Sequence, residues 1–204
     1  CTTALLGWTV VKMFGDYQRK VFDEQAPFDV SIFSDEPDDT FAEQIELIEG
    51  DAGLKDHLVY HIYENGTDVV NQFLYKHMQG TYKNDTFYEG KQGSSTYYGY
   101  DTYMGLSDYN RLREMLGYDQ AELDEGEYSL HGKERIDEQM ESIRDTVTIT
   151  AGSQTLRCRG INMEPFGQNG MNGADYIIVI QDKALTELFP YYSVMAGEFS
   201  GQPS

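Results

Sequence analysis

The sequence predicts an α+β fold. It is read as mixed sheets with two βαβ-type units in a ferredoxin-like arrangement over residues 27–132, a smaller mostly β subdomain over 133–204, and an N-terminal stalk helix over 1–26. Three observations carry this reading. The order strand, helix, strand occurs twice before residue 132. Beyond it, short apolar runs are separated by Gly-rich turns, the signature of consecutive strands. Residues 3–25 contain no proline and space Leu6, Val10, Met13, Phe14, Tyr17, Val21 and Phe22 at helical intervals. A chain of 204 residues, 40% hydrophobic, with 1 Trp, 16 Tyr and 10 Phe, is long and apolar enough to bury a core.

Taken in order, the first helix begins apolar, with Lys12 its one early charge, and turns polar over its second half. That gradient is expected of a helix leaving an apolar environment for water. Ala26-Pro27 ends it, because proline pushes the preceding residue out of helical space. FDVSIF (28–33) alternates as a strand. SDEPDD is a loop, and Asp39 or Thr40 caps the helix TFAEQIELIEG, which aligns Phe41, Ile45 and Ile48 and closes at Gly50. HLVYHIYENG (57–66) returns as a strand ending in an Asn-Gly turn. VVNQFLYKHM reads equally as a strand or a short helix, and residues 80–99 as a long Tyr/Gly-rich loop or hairpin insertion. YGYDTYMGL is then a strand, Ser107 or Asp108 caps the helix DYNRLREMLG ending at Gly117, and EGEYSLHG is a strand. KERIDEQMESIR is charged and can form a helix. TVTITAG, QTLRCRGINME and ADYIIVIQD are strands, KALTELF a short helix and YYSVMAGEF a last strand.

The charge narrows the partners. With 15 Lys and Arg against 35 Asp and Glu, the net −20 argues against nucleic acid, whose binding needs clustered cations, and favours cationic ligands. No run reaches the roughly 20 apolar residues of a membrane span. Cys1 and Cys158 give no spacing signature and are expected to be free thiols, Cys158 as a small core residue. Cys1 in place of Met is expected to mark a piece processed or excised from something longer.

Chemistry-bearing motifs are few. His57 and His61 lie in HLVYHIY without the Glu of HExxH and are expected to be ordinary strand histidines. Asp35, Glu36, Asp38 and Asp39 lack the glycine and terminal Glu of an EF-hand and fit a solvated helix start. GQNGMNG (167–173) is neither GxGxxG nor GxSxG and reads as a flexible hairpin, and no Walker A lysine loop is present. Ser107, Ser129 and Ser142 lack a nucleophile elbow. Asn65-Gly-Thr67 and Asn84-Asp-Thr86 are sequons. No catalytic, cofactor-binding or metal-binding residue is therefore assigned. Tyr82, Phe87, Tyr88, Tyr97, Tyr98 and Tyr100, with Tyr103 nearby, crowd around the insertion. Tyrosine joins a flat apolar body to a polar tip, so this cluster is either a ligand surface for cationic, amphipathic groups or a hairpin packed on the sheet.

Several segments together resemble a family. PFDVSIFSD after an apolar helix, TYMGLSDYNRLREMLGY and LDEGEYSLHG are similar to the extracytoplasmic domain of FtsX-like (MacB-type) ABC-transporter permeases, especially the large permeases of Gram-positive bacteria. The matching residues are Asp29-Val30-Ser31-Ile32, Gly105 to Asn110, Leu112, Leu116-Gly117 and Glu127-Tyr128; ADYIIVIQDKALTEL resembles a later strand-then-helix segment. The match touches residues 8–35, 100–131 and 174–189.

The resemblance implies a porter-type subdomain, a location on the outer face of the cell membrane, and a separate cytoplasmic subunit that hydrolyses ATP. It implies no catalytic residue. The expected function is binding a substrate or partner outside the cell, such as a cationic peptide, lipid or lipoprotein, and coupling it to motion of the membrane helices. The insertion at 80–99 departs from the family pattern. An alternative is a lipid-anchored extracytoplasmic binding protein with Cys1 as mature N-terminus, although ALLGWTVV is unlike a polar tether. A hydrolase with an unrecognised site is a third reading. Acidity agrees with the positive-inside rule without requiring it, because large domains translocate largely regardless of charge.

Overall fold

Alternating apolar residues assemble one eight-stranded mixed sheet in this computed structural model, which describes residues 12, 13, 15, 28–34, 39–77, 100–132, 137–166 and 176–200. The strands are β1 (Val30–Ser34), β2 (Leu54–Glu64), β3 (Thr102–Gly105), β4 (Glu127–Gly132), β5 (Thr148–Ala151), β6 (Gln154–Asn162), β7 (Tyr176–Ile180) and β8 (Phe189–Phe199). From Asp39 onward, the described residues form α-helices α1 (Asp39–Glu49), α2 (Val69–His77), α3 (Leu106–Met115) and α4 (Asp137–Thr146), with a 3-10 helix at Asp182–Glu187. The ambiguous segment VVNQFLYKHM is thus helical over Val69–His77, and it buries Val70 and Leu74 one turn apart. Of the expected stalk helix, Lys12, Met13 and Gly15 are described and are helical; the rest lies outside the described residues.

The sheet order is β1-β8-β2-β3-β7-β4-β6-β5. It corrects the expected division into separate sheets, since the two late strands β8 and β7 intercalate among early ones. β8 lies between β1 and β2 and pairs antiparallel with both, so β1-α1-β2 is a split βαβ unit with parallel outer strands. The second expected unit differs. β7 lies between β3 and β4, parallel to the first and antiparallel to the second, so β3 and β4 run in opposite directions. A helical segment between two strands is a local signal. The direction of the second strand depends on which distant strand it meets.

Two cores result, one on each face. β7 is buried over its whole length: Tyr176, Ile178 and Ile180 enter one core and Ile177 and Val179 the other. This is the continuous apolar run expected of a strand covered on both sides. The first core receives α2 through Val70 and Leu74 and α4 through Ile143, together with Tyr103, Tyr128 and Leu130. The second receives α3 through Tyr109 and Leu112, against Ile62, Met104 and Val194. Each such side chain, fully buried, contributes about 1.5–3 kcal/mol. Helix α1 is lighter: Phe41 is buried, Ile45 and Ile48 are half-buried, and Leu47 is 78% exposed. At the far edge, the Thr150 carbonyl of β5 accepts a hydrogen bond from Asn65 Nδ2 at 2.9 Å, and β5 lies against the 3-10 helix. The sheet therefore curls until its β5 edge approaches the end of β2.

Candidate functional site

Parallel neighbours β3 and β7 both end at the same side of the sheet, and the chain then leaves them toward opposite faces. From β3 it enters α3 in the second core; from β7 it enters the 3-10 helix, whose Ala184 and the following Leu188 belong to the first. Such a switch point opens a crevice at the carboxyl ends of strands, the usual place for a ligand in a sheet of this kind. The residues around it are His61, Tyr63, Ser107, Asp108 and Asp182.

An internal carboxylate occupies this place. Asp182 Oδ2 accepts the Ser107 hydroxyl at 2.6 Å and its Oδ1 the Ser107 backbone N–H at 3.3 Å, so the exposed N-terminus of α3 carries an acid from 75 positions away. The expected cap by Ser107 or Asp108 is corrected accordingly: the N-cap position is Gly105, with no side-chain cap of its own. Glycine suits the close approach there, because a Cβ would lie 2.5 Å from Asp182 Oδ1 and 2.9 Å from Leu185 Cδ1 and would have to push both side chains aside. Burial raises the Asp108 carboxyl above its ordinary value and the nearby Asp182 charge adds to this, while the His61 backbone N–H and imidazole act against it. Burial likewise raises the Tyr63 phenol, with Asp108 and Asp182 adding to it.

Behind α3 lies a polar network inside the second core. Tyr109 Oη and His131 Nδ1 are 2.6 Å apart, and His131 Nε2 lies 2.7 Å from the Glu164 carbonyl. A carbonyl can only accept, so Nε2 carries the hydrogen and Nδ1 accepts from the Tyr109 hydroxyl. Arg113 donates to Tyr109 Oη at 3.3 Å and to both Glu164 carboxylate oxygens at 3.1 and 3.2 Å. Its Nε donates to the Asp119 carbonyl, and its guanidinium lies over the Tyr109 and Tyr118 rings. His131 stacks on Phe166 with centroids 4.5 Å apart. Burial pushes the His131 imidazole down to about 4, only partly offset by the Glu164 carbonyl, and burial raises the Tyr109 phenol. Burial also acts to raise the Glu164 carboxyl, but the Arg113 hydrogen bonds and charge reverse this and leave it below its ordinary value.

In the first core, the fully buried Asp101 is a second remote cap. Its oxygens accept the Val70 and Asn71 backbone N–H groups at 3.1 and 3.2 Å, at the start of α2, and the Tyr176 hydroxyl at 2.7 Å. Burial raises its carboxyl to about 6 against these three donors.

The residues singled out from sequence are dispersed. Tyr100 is 52% exposed and stands immediately before Asp101. Tyr82, Phe87, Tyr88, Tyr97 and Tyr98 lie outside the described residues, as do Asp35, Glu36, Asp38 and the segment 167–173. Asp39 begins α1. The two strand histidines have separate partners: His57 Nε2 lies 2.9 Å from Glu49 Oε1 and His61 Nδ1 lies 2.7 Å from Ser193 Oγ. Ser193 is 1% exposed and Asp108 takes the His61 backbone N–H, so these residues do not present a nucleophile to solvent. Ser129 donates to the Gly160 carbonyl at 3.0 Å, and Ser142 is exposed. Cys158 is a free thiol, half-buried, with burial raising it to about 11, which suits packing better than reactivity.

Among the described residues no group of three or more His, Cys, Asp or Glu converges as metal ligands. Sequence reasoning missed Asp101, Arg113, His131 and Asp182. The local signal was a polar residue inside a predicted strand or helix, such as His131 in EYSLHG. No protein-family model matches the chain, and no curated protein matches it significantly.

Proposed function

We propose that the chain is the extracytoplasmic domain of an FtsX-like, MacB-type ABC-transporter permease of a Gram-positive bacterium. In this reading it is a binding and force-transmitting module on the outer face of the cell membrane. It is not an enzyme and needs no cofactor; ATP is hydrolysed by a separate cytoplasmic subunit. The resemblance in sequence motivates the reading, and one structural observation supports it most. The chain enters the sheet on β1 and leaves it on β8, neighbours paired Val30 to Gly197, and Asp29 of the DVSI motif accepts the Phe199 backbone N–H at 2.7 Å. Adjacent entry and exit suits insertion between two membrane segments. Pulling or twisting either connection would act on one stitched pair of strands.

The other resembling segments also join. Gly105–Asn110 and the 3-10 helix meet through Ser107 and Asp182, and Asn110 closes on Ala121 with Nδ2 donating to its carbonyl at 2.9 Å and Oδ1 accepting its N–H at 2.7 Å. These motif residues use their polar groups inside the molecule, which suits a mechanical scaffold with recognition placed elsewhere. Among the described residues no helix is long and apolar enough to cross a membrane.

Placing Leu47→Cys, an exposed position on α1, in the full-length protein tests the location. A membrane-impermeant maleimide is expected to label it in intact cells, with an ATP-binding subunit co-purifying in detergent. Labelling only after lysis, or labelling without any such subunit, overturns the permease reading; diacylglycerol on Cys1 would favour the lipid-anchored alternative. For the ligand, the surface proposed is Tyr82, Phe87, Tyr88, Tyr97, Tyr98 and Tyr100. Cationic amphipathic peptides are expected to bind weakly there, and more tightly at low salt. Affinity indifferent to salt, or to deletion of residues 82–98, rejects this.

A further inference from the structure

The turn after β2 holds an asparagine in an arrangement suited to chemistry on its own side chain. Asn65 is followed by Gly66, which has φ +71° and nothing within 4 Å of where a Cβ would stand. Asn65 Oδ1 accepts two hydrogen bonds from one residue, the Thr67 backbone N–H at 3.0 Å and the Thr67 hydroxyl at 2.5 Å. Asn65 Nδ2 donates to the Thr150 carbonyl on the β5 edge at 2.9 Å. Among the described residues no backbone hydrogen bond engages the Gly66 N–H.

We propose that Asn65-Gly66 is a self-modification site whose deamidation the fold promotes, and that its product releases the β5 edge. Hydroxide or water removes the Gly66 N–H proton, and the nitrogen attacks Asn65 Cγ to form a new C–N bond. Negative charge gathers on Oδ1, where the two Thr67 donors already point, as donors do in an oxyanion hole. Collapse breaks the Cγ–Nδ2 bond, and the nitrogen takes a proton from water and leaves as ammonia. Water then opens the cyclic imide at either carbonyl, giving aspartate or isoaspartate. The net change is one water consumed and one ammonia released, with no oxidant or reductant. The absence of a Cβ on Gly66 removes the steric barrier that any other residue would raise. The product has a carboxylate facing the Thr150 carbonyl, two acceptors with no hydrogen between them, so the clasp between β2 and β5 is lost.

Two features separate this from ordinary ageing of an Asn-Gly pair. Folding usually protects asparagine by fixing it; here it fixes the amide oxygen against two donors. The sequence also carries Asn169-Gly170 and Asn172-Gly173, the same dipeptide with Met171 and Ala174 in place of a threonine two positions on, as internal controls. The test incubates the folded chain and the guanidinium-unfolded chain at mildly alkaline pH and follows each Asn-Gly peptide by mass spectrometry. Loss of an oxyanion donor costs 10²–10³ in a sequestered active site, so in this half-exposed turn Asn65 is expected to react about tenfold faster folded than unfolded. Thr67→Ser, which keeps both donors, is expected to retain that ratio. Thr67→Val, which removes one, is expected to reduce it severalfold, with circular dichroism verifying that each variant is folded. A folded rate equal to or below the unfolded one overturns the proposal. The purified aspartate form is expected to show faster amide exchange in β5, and unchanged exchange there overturns the release of the edge.

Discussion

Replacing His131 by Gln changes how stability responds to acid, and the direction follows from the two cores having opposite titrating groups. His131 is fully buried, with both ring nitrogens committed, and its imidazole titrates at about 4 against an ordinary 6.5. A histidine with a depressed native value contributes stability that is present above 6.5 and lost as pH falls toward 4. Between pH 7 and pH 5 the loss is about 2 kcal/mol. Asp101 does the reverse. Its native value of about 6 stands above the ordinary 3.8, so the native state takes up its proton first and gains stability as pH falls through 6. Over the same interval that gain is about 1 kcal/mol. Glu164, held below its ordinary value by Arg113, acts only in more acidic solution, where its stabilisation is lost.

In the wild-type chain the two terms partly cancel from pH 7 to pH 5, leaving a net loss of about 1 kcal/mol. His131→Gln keeps an acceptor for Tyr109 and a donor for the Glu164 carbonyl but cannot titrate. It is expected to become more stable on acidification by about 1 kcal/mol, while Asp101→Asn is expected to become less stable by about 2 kcal/mol. Urea melts at a series of pH values, followed by far-ultraviolet circular dichroism, measure this. Groups common to the three proteins cancel in the differences, and the two sites belong to different cores, so their effects should add. If the His131→Gln curve ran parallel to wild type over this interval, the neutral buried imidazole would be refuted, whatever the absolute stabilities.

Further outcomes are expected elsewhere. Gly105→Ala places a methyl against Asp182 and Leu185 and is expected to cost about 1–3 kcal/mol, with Asp182→Ala partly relieving it in the double variant; denaturant melts of the single and double variants decide. Asp182→Ala alone removes the remote cap of α3 and is expected to cost about 1 kcal/mol, read most locally as faster amide exchange at Ser107 and Asp108. Arg113→Met takes the guanidinium from Tyr109 and from the half-exposed Glu164, which keeps the Met163 N–H, and is expected to cost about 2–3 kcal/mol, more than Glu164→Gln in parallel melts. Asp29→Ala removes the stitch to Phe199 and is expected to cost about 1 kcal/mol. On the proposed permease reading, the same change in the full-length protein is expected to weaken coupling to an ATP-binding subunit without altering that subunit's basal hydrolysis.

The element order was legible wherever the chain obeys a period. YIIVI reads as a fully covered strand because five consecutive apolar residues have no polar face to show, and β7 is buried on both sides. The end of α3 was legible at Gly117, whose φ of +74° lets the Tyr118 and Gly117 N–H groups reach back to the Arg113 and Glu114 carbonyls. The start of the same helix was misread. Ser107 looked like its cap but is instead a donor to Asp182, because the choice between a local and a remote partner depends on what the 3-10 helix brings alongside. The candidate site was the least legible part: Asp101 and His131 are polar letters in segments that read as strands, and their partners come from other strands and helices.

By itself the sequence determined the α+β class, the succession of strands and helices, and the acidic character that argues against nucleic acid. These follow from local spacing and composition, which need no knowledge of neighbours. Tertiary structure alone decided that β8 divides β1 from β2, that β7 divides β3 from β4, and that the chain enters and leaves on a stitched pair. It also decided which charges are buried and what satisfies them. An alternating segment offers the same edge hydrogen bonds to any strand, so its partner is selected by the packing of both cores at once. A buried carboxylate or imidazole is tolerable only where distant donors and acceptors arrive to meet it.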